Sequence, residues 1–251
     1  MTIWQAVVLG VVQGITEFFP ISSSGHLVVM QALLGFKEPK LTFDIFLHIG
    51  TLASILIFFR KDILALSRNK RLLILIAIAS VPTFLIGFFM KDAVEGLFGM
   101  PGVAGSMLVI TGIFLIISAV FSGRNHPEKK AGILSSLIVG TAQGIAIIPG
   151  ISRSGLTIGS GLLCGFGKDS AVRFSFLLAI PAILGATVLQ IFKIGEGIAG
   201  NEMLCFMTGA IAACITGIAA IKILINIVKN NRLQFFGVYC ILAGVVVLIL
   251  I

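Results

Sequence analysis

Five ionisable side chains lie within stretches of the chain that are otherwise strongly apolar. They are Glu17, His26, Asp44, His48 and Arg153. A charge at the centre of a membrane costs about 2.5–3.5 kcal/mol on insertion scales, so such groups persist where they face one another or a wet cavity. A carboxylate, an imidazole and a guanidinium in one cavity can bind a cation, move a proton and bind an anion. These residues are therefore the first candidates for a functional site.

Gln13 and Glu17 are four residues apart, so on a helix their side chains share one face. A carboxylate beside an amide oxygen suits a hard cation such as Mg²⁺ or Ca²⁺. Asp44 and His48 repeat the same spacing, although spacing alone is a weak signal. The sequence predicts a divalent-cation site at Gln13 and Glu17.

Two similar polar segments, ISSSG at 21–25 and ISRSG at 151–155, interrupt apolar stretches. Serine and glycine are favoured where helices start, and the free N–H groups there form an anion site. Arg153 adds a planar fork that can bind phosphate oxygens in bidentate fashion. A hinge between two half-helices would explain the serines and glycines but not Arg153, His26 and Glu17.

His26 directly follows the first of these segments. A lone histidine beside an apolar helix is more often a hydrogen-bonded structural group than a catalyst. Here it neighbours an anion site and a carboxylate, and an imidazole titrates near neutral pH. His26 is therefore a candidate base, acid or nucleophile, and the residues together are typical of phosphoryl transfer.

The elements that position these residues are membrane helices. The chain has 251 residues, 58% of them hydrophobic and 11% charged, with a mean hydropathy of +1.14. A soluble domain is about 45–50% apolar and about 25% charged. The composition predicts an all-α polytopic membrane protein. Its net charge of +8 is explained by basic cytoplasmic loops, so we expect no nucleic-acid partner.

Apolar runs bounded by charges or turn residues predict six transmembrane helices. They lie near 43–59, 72–90, 104–121, 170–192, 203–221 and 233–251. Two further apolar stretches, 2–35 and 133–163, are interrupted by PISSSG and PGISRSG. Because each piece is too short to cross a membrane comfortably, each stretch predicts a re-entrant helical hairpin.

The basic residues support this layout. Thirteen of the eighteen Lys and Arg residues lie in the loops near 60–71, 122–132, 164–173 and 222–232. With two re-entrant hairpins and six crossings, all four of these loops fall on one face of the membrane. The positive-inside rule makes that face cytoplasmic.

The sequence also contains an internal repeat. QGITEFFPISSSG (13–25) and QGIAIIPGISRSG (143–155) are identical at seven of thirteen positions, at an offset of 130. Residues 1–125 and 126–251 would each hold one hairpin and three crossings. An odd number of crossings inverts the second half, and inverted repeats place a site where broken helices meet near the midplane.

QGITEFFPISSSGHL (13–27) resembles the (E/Q)xxxE segment and the following SS-x-GH of the bacterial undecaprenyl-diphosphate phosphatase family. PGISRSGLT (149–157) is similar to that family's PGxSRSxxT, and FDIFLHIGTLASI (43–55) to its next helix. Chain length and repeated architecture agree throughout. The family is also linked to bacitracin resistance, since bacitracin sequesters the lipid diphosphate.

The resemblance implies hydrolysis of undecaprenyl diphosphate to the monophosphate and inorganic phosphate, which recycles the lipid carrier for peptidoglycan and other cell-wall polymers. It implies a multi-pass protein of the bacterial cytoplasmic (inner) membrane whose active site faces outward. Membrane lipids and the lipid diphosphate would be its partners, and the sequence leaves a homodimer open.

The resemblance also assigns roles to individual residues. Gln13 and Glu17 would hold Mg²⁺ or Ca²⁺, although glutamate is the alternative at the first position. Catalysis would involve Glu17, His26, Ser23 and Arg153, with the nucleophile open between Ser23, His26 and an activated water. The residues that would bind the diphosphate with Arg153 are Ser22, Ser24, Gly25, Ser152, Ser154 and Thr157.

A secondary transporter or lipid flippase is the main alternative, because inverted repeats with paired broken helices are common there. Pure transport needs no nucleophile or base, and a non-catalytic scaffold needs no charges within the membrane. An enzyme that also moves its lipid product across the bilayer is a mixed alternative.

Overall fold

The computed structural model describes residues 1–36, 40–122, 130–191 and 200–250, and these are helical and without strands. A short 3-10 turn, Gly96–Gly99, connects two of the helices. In chain order the helices are α1 (Ile3–Thr16), α2 (Ser23–Leu33), α3 (Leu41–Phe58), α4 (Arg60–Leu66), α5 (Lys70–Glu95), α6 (Pro101–Ser122), α7 (Ile133–Ile145), α8 (Arg153–Leu163), α9 (Lys168–Ile191), α10 (Gly200–Lys229) and α11 (Gln234–Leu250). The predicted all-α class is confirmed.

Four helices of the described chain are long and apolar enough to cross a membrane. The spans are Lys70–Met90 in α5, Gly102–Phe121 in α6, Lys168–Val188 in α9 and Glu202–Lys229 in α10. A fifth is formed if Thr42–Phe58 and Arg60–Leu66 are counted together, with a bend of 74° between them. These correspond to five of the six predicted crossings. The sixth, at α11, is an apolar helix of 17 residues, so the molecule is a multi-pass helical membrane protein.

The two interrupted stretches each form a pair of short helices. α1 has 14 residues and α2 has 11, while α7 has 13 and α8 has 11. At 1.5 Å per residue each is roughly 16–21 Å long, too short for about 30 Å of hydrocarbon. Each pair is interrupted at a segment that contains proline, glycine and serine, as the sequence predicts.

The first helix of each interrupted pair packs against a long helix from the other half of the chain. α1 packs on α10 and α7 packs on α5. A Cβ added at Gly10 would lie 2.4 Å from the carbonyl oxygen of Gly209, and one at Gly140 would lie 2.0 Å from that of Ala79. Residues 10 and 140, like 79 and 209, are 130 positions apart. Both contacts therefore need glycine, and they are reciprocal at the offset of the sequence repeat.

α6 and α11 also pack closely through glycines. A Cβ at Gly105 would lie 3.1 Å from the oxygen of Gly244, and one at Gly112 would lie 2.5 Å from that of Gly237. Since the residue numbers rise on one helix as they fall on the other, the two helices are antiparallel. Such close backbone approach fixes their register.

Aromatic packing anchors the first break in the core. Phe18 is fully buried, and its ring meets Phe176 of α9 edge-on, with centroids 5.4 Å apart. Phe59 of the α3–α4 bend packs on the other side of Phe176, at 5.6 Å. Phe18, just before the PISSSG segment, is therefore packed on α9, which packs in turn against the α3–α4 bend.

Candidate active site

The first break begins where α1 ends. Glu17 follows the last residue of α1, and its N–H donates to the carbonyl of Gln13 at 2.9 Å. The chain then turns, and Ser22 adopts φ 67° and ψ 96° before α2 starts at Ser23. Positive φ is strained for a residue other than glycine, and such strain concentrates at functional sites. The backbone conformation of Ser22 therefore sets the direction in which α2 starts.

The second break is built around a glycine and a capping serine. Gly150 has φ 91°, and a Cβ there would lie 2.2 Å from the carbonyl oxygen of Ala104. Only glycine accepts both the left-handed backbone and this close approach to α6. Ser152 then caps α8, because its Oγ accepts from the N–H of Gly155 at 3.2 Å. Arg153 is the first residue of the capped helix.

The two breaks lie against each other. The hydroxyl of Ser154 donates to the carbonyl oxygen of Phe19 at 3.2 Å. A Cβ added at Gly155 would sit 3.1 Å from the Cβ of Pro20. The free amino ends of α2 and α8 are thus brought into one region, as the sequence repeat predicts.

Arg153 and Glu17 form an ion pair across this junction. The Nη2 atom of Arg153 lies 2.6 Å from the Oε1 atom of Glu17, and their side chains are only 17% and 8% exposed. A buried pair of this kind becomes unfavourable when one partner is removed, because the other charge is left unpaired. This ion pair therefore connects the two breaks through charged side chains, in addition to the hydrogen bond between Ser154 and Phe19.

The second oxygen of Glu17 is also occupied. Ser23 donates its hydroxyl proton to Oε2 at 2.7 Å, and the Nε2 atom of Gln13 donates to the same oxygen at 3.1 Å. The Nε2 atom of Gln13 also lies 2.8 Å from the Nδ1 atom of His48. Glu17 is therefore the centre of a cluster that contains a hydroxyl, an amide and a guanidinium. His48 joins it through Gln13, whereas Asp44 bonds Gln31 instead, at 2.7 Å.

Both ring nitrogens of His26 have partners. Nδ1 lies 2.8 Å from the carbonyl oxygen of Ser22, and Nε2 lies 2.7 Å from the hydroxyl of Tyr239. A carbonyl only accepts, so Nδ1 carries a proton and donates it to Ser22, and in a neutral imidazole Nε2 then accepts from the tyrosine. The two rings are stacked, with centroids 5.8 Å apart. His26 is held in one tautomer and one orientation.

Tyr239 is the residue that the sequence analysis missed. It is the only tyrosine of the chain, and it lies on the apolar helix α11. A tyrosine is the usual choice where an aromatic ring must also supply a hydroxyl. The sequence feature that could have indicated Tyr239 is that the chain has one tyrosine and 20 phenylalanines.

The predicted diphosphate-binding residues divide into two groups. Ser22 and Ser24 form a hydroxyl pair at 3.3 Å, and Ser152 and Ser154 form the equivalent pair at 3.2 Å. Gly25 lies beside open space, since a Cβ there would meet only the Ser22 Oγ, at 3.9 Å. These residues surround the two helix starts.

Thr157 differs from the other residues of that set. Its hydroxyl is buried, donates to the carbonyl of Arg153 at 2.8 Å, and lies 2.5 Å from the Ser175 hydroxyl of α9. This geometry connects α8 to α9 and thereby fixes the turn that carries Arg153.

The donor set near Glu17 is compatible with a divalent cation. The Oε1 atom of Gln13 is buried and has no hydrogen-bond partner. An amide flip would place that oxygen where Nε2 lies, beside Glu17 and His48, and flips of this kind are assigned from the surrounding network. Among the residues that the structure describes, no three His, Cys, Asp or Glu side chains group as a metal site. Mg²⁺ is commonly held by one or two protein ligands and substrate phosphates, which this arrangement fits.

Fold and site together define a class: a multi-pass helical membrane protein with a buried arginine–glutamate pair and serine hydroxyls where two helix breaks meet. Comparison with known proteins narrows it. The family model of the bacitracin resistance protein BacA matches residues 6–246. The chain belongs to this family.

Several relatives cover the chain almost completely. A protein of Carboxydothermus hydrogenoformans is 44% identical over 256 aligned residues, covering 100% of this chain and 98% of its own length. One of Halothermothrix orenii is 43% identical over 255, with the same coverages. One of Rhodopirellula baltica is 43% identical over 249, covering 98% and 97%. Each of the three is named undecaprenyl-diphosphatase.

Proposed function

We propose that the protein hydrolyses undecaprenyl diphosphate to undecaprenyl phosphate and inorganic phosphate. The single observation that supports this most is the meeting of Arg153, Glu17 and Ser23 at the junction of the two breaks. Family membership and the names of the relatives agree with it. The reaction recycles the lipid carrier for cell-wall polymers and accounts for bacitracin resistance.

Substrate binding begins with Arg153. In the free protein its guanidinium is paired with Glu17. The terminal phosphate carries more negative charge than a carboxylate and offers oxygens in the geometry that the guanidinium fork prefers. N–H groups at the starts of α2 and α8 and the hydroxyls of Ser22, Ser24, Ser152 and Ser154 add donors around the same anion.

Phosphate binding by Arg153 would also prepare Glu17 as a base. A carboxylate that loses its paired cation becomes a stronger proton acceptor. Its Oε2 atom already accepts from the Ser23 hydroxyl at 2.7 Å, which is the geometry of a nucleophile and its base. The substrate would therefore activate the nucleophile by withdrawing Arg153 from Glu17.

Ser23 would carry out the chemical step. Its Oγ forms a bond to the terminal phosphorus, its proton moves to Glu17, and the bridging P–O bond breaks to release undecaprenyl phosphate. Water then attacks the phosphoserine, which releases inorganic phosphate and restores the hydroxyl. Glu17 returns its proton to the solvent.

His26 would orient this step. Its ring is fixed by Ser22 and Tyr239, and it lies one helical turn after Ser23 on α2. From there its Nε2 atom and the Tyr239 hydroxyl can exchange a proton with the leaving phosphate or the attacking water.

A divalent cation, Mg²⁺ or Ca²⁺, would complete the site. Glu17 and the amide oxygen of Gln13 would hold it. When bound, it would neutralise charge on the diphosphate and polarise a phosphoryl oxygen. His48 would fix the Gln13 side chain through its contact at 2.8 Å.

The chain would consist of two inverted repeats, 1–125 and 126–251, each with one re-entrant hairpin and three crossings. Reciprocal packing of Gly10 on Gly209 and of Gly140 on Ala79 supports this arrangement. In the cytoplasmic membrane the basic loops would face the cytoplasm and the site would open outward. The homodimer that the sequence leaves open stays a prediction, which light scattering of the purified protein checks.

A secondary transporter or lipid flippase is not favoured. Neither needs a serine hydroxyl bonded to a carboxylate beside a buried guanidinium. The relatives are named for a diphosphatase.

The decisive experiment measures phosphate release by purified protein in detergent. Undecaprenyl diphosphate with Mg²⁺ or Ca²⁺ should give turnover that stops on chelation and resumes when the cation is restored. Arg153→Ala and His26→Ala should lose activity while they remain folded and monodisperse in size-exclusion chromatography. The melting temperature of Arg153→Ala should be lower than that of the wild type, because Glu17 is left unpaired. Full activity in both variants would remove the site assignment, and no release with either cation would favour the transporter.

A further inference from the structure

A cavity lies outside the candidate active site. Its volume is about 520 Å³, and it lies between the α3–α4 bend, the start of α9 and the second half of α10. None of its lining residues belongs to the candidate active site. His48, which contacts Gln13, precedes Phe58 of the cavity by ten residues on α3, roughly 15 Å along the helix axis.

The charged rim of this cavity carries a surplus of positive charge. Its ionisable residues are Arg60, Lys61, Asp62, Asp169, Arg173 and Lys229. Asp62 pairs with Arg173, and Asp169 pairs with Lys229 at 3.1 Å. Arg60 and Lys61 have no ion pair among the described residues, so two positive charges stay uncompensated at the mouth.

The ion pairs fix the walls of the cavity. Arg173 and Asp62 connect α9 to α4, and Lys229 and Asp169 connect α10 to α9. Lys168 also donates to the carbonyl of Lys229, at 3.0 Å. The helices around the positively charged mouth, α4, α9 and α10, are therefore connected to one another.

The inner part of the cavity is apolar. It is lined by Ile57, Phe58, Phe59, Val172, Ile218 and Ile225. Ile57 is 45% exposed on the outer surface of α3, where the hydrocarbon chains of the membrane would lie. A free inorganic anion gains nothing from such a lining, whereas an acyl chain does.

We propose that this cavity binds one anionic phospholipid, with its phosphate at Arg60 and Lys61 and an acyl chain along the apolar lining. Basic pockets between helices on the cytoplasmic side are suited to such headgroups. The loops around the cavity are three of the four basic loops, which the positive-inside rule assigns to the cytoplasmic face. This site is separate from the one at which the diphosphate is hydrolysed, and it does not depend on the proposed reaction.

The test titrates delipidated full-length protein in detergent with phosphatidylglycerol and with phosphatidylcholine of the same chain length, and counts bound lipid by native mass spectrometry. Wild-type protein should bind phosphatidylglycerol preferentially. Arg60→Gln with Lys61→Gln should weaken phosphatidylglycerol binding on the order of thirtyfold. Each basic residue near a membrane surface raises the affinity for anionic lipid about fivefold to sixfold, and the variant removes two. Phosphatidylcholine binding should not change.

Arg68→Gln with Lys70→Gln is the matched control. It removes one arginine and one lysine from the same face, outside the cavity. It should bind phosphatidylglycerol like the wild type. Asp62→Asn, which frees Arg173, should bind it several-fold more tightly.

Three outcomes would overturn the proposal. Equal losses in the two double variants would mean general surface attraction. Equal binding of both phospholipids would mean an apolar groove without headgroup recognition. Displacement of phosphatidylglycerol by equimolar inorganic phosphate or by farnesyl phosphate would assign the cavity to a free anion or to a prenyl phosphate. Both double variants should retain phosphate release, which shows that they are folded.

Discussion

Arg153 and Glu17 are 136 residues apart in the chain, and their side chains form one buried ion pair of 2.6 Å at the junction of the two breaks. The residue that recognises anions thus holds the carboxylate that lies beside the serine. This arrangement gives the free protein a neutral site, with one positive and one negative charge. The diphosphate would then exchange places with the carboxylate.

Arg153→Lys should lower kcat/KM for undecaprenyl diphosphate about 10²–10³-fold, because lysine keeps the charge but loses the planar fork. Steady-state phosphate release measures the change. Arg173→Lys, an arginine in an ion pair on another part of the molecule, is the matched control and should stay close to the wild type. Similar losses in both would point to global electrostatics.

Ser23→Ala should reduce kcat on the order of 10³-fold or more, since it removes the hydroxyl that donates to Glu17. Ser106→Ala is the control, because the Ser106 hydroxyl bonds only the carbonyl of Gly102 within its own helix. Rapid-quench analysis of the wild type should trap a phosphoserine that the Ser23→Ala variant lacks. A Ser23→Ala variant with normal turnover would assign the attack to water or to His26.

Tyr239→Phe should lower kcat about tenfold with little change in KM, since it removes one hydrogen bond to His26 and keeps the stacked ring. A double-mutant cycle with His26→Ala measures the coupling. If Tyr239 acts through His26, its substitution should have no further effect in the His26→Ala background. Additive losses would instead give Tyr239 a role of its own.

Gln13→Glu should lower the Mg²⁺ or Ca²⁺ concentration for half-maximal activity about tenfold, because a second carboxylate beside Glu17 strengthens a hard-cation site. Gln13→Leu should lose cation-dependent activity. Activity titrated against free cation in both variants measures the effect. An unchanged cation requirement in Gln13→Glu would show that Gln13 is not a ligand.

Gly140→Ala should lower the melting temperature by several degrees, since its Cβ would lie 2.0 Å from the Ala79 carbonyl and overpacking costs about 1–3 kcal/mol. Gly102→Ala is the control, because nothing lies within 4 Å of a Cβ there. Differential scanning of both variants in one detergent makes the comparison. Equal melting temperatures would mean that α5 and α7 can separate without cost.

The helix breaks were predictable because proline, glycine and serine mark them locally. α2 starts at Ser23 and α8 at Arg153, at equivalent positions of the two polar segments. The candidate residues around these starts were identified by type, and the structure brings Glu17, Ser23 and Arg153 together. Such local signals depend on a few neighbouring residues, so they can be seen without the fold.

Contacts between distant helices were not predictable in the same way. Sequence analysis assigned Arg153 to phosphate and Glu17 to a cation, whereas the structure pairs them with each other. Tyr239 contacts His26 from α11, and the apolar sequence of α11 does not indicate which residue the tyrosine hydroxyl contacts. The bend of 74° after Phe58, whose residues line the cavity, also occurs without a proline or glycine.

The packing of α1 on α10 has a consequence for how the chain is made. α1 leaves the ribosome before α10, because Gly209, the residue against whose backbone Gly10 fits, is synthesised about two hundred residues after Gly10. Until Arg153 is made, Glu17 has no arginine partner, and until Gly209 is made, α1 lacks the helix on which it packs. α1, α2 and the unpaired Glu17 must therefore remain at the membrane while much of the chain is translated. Assembly is completed only after the second half has been synthesised. Separately expressed halves should each be degraded, whereas halves made together should restore activity.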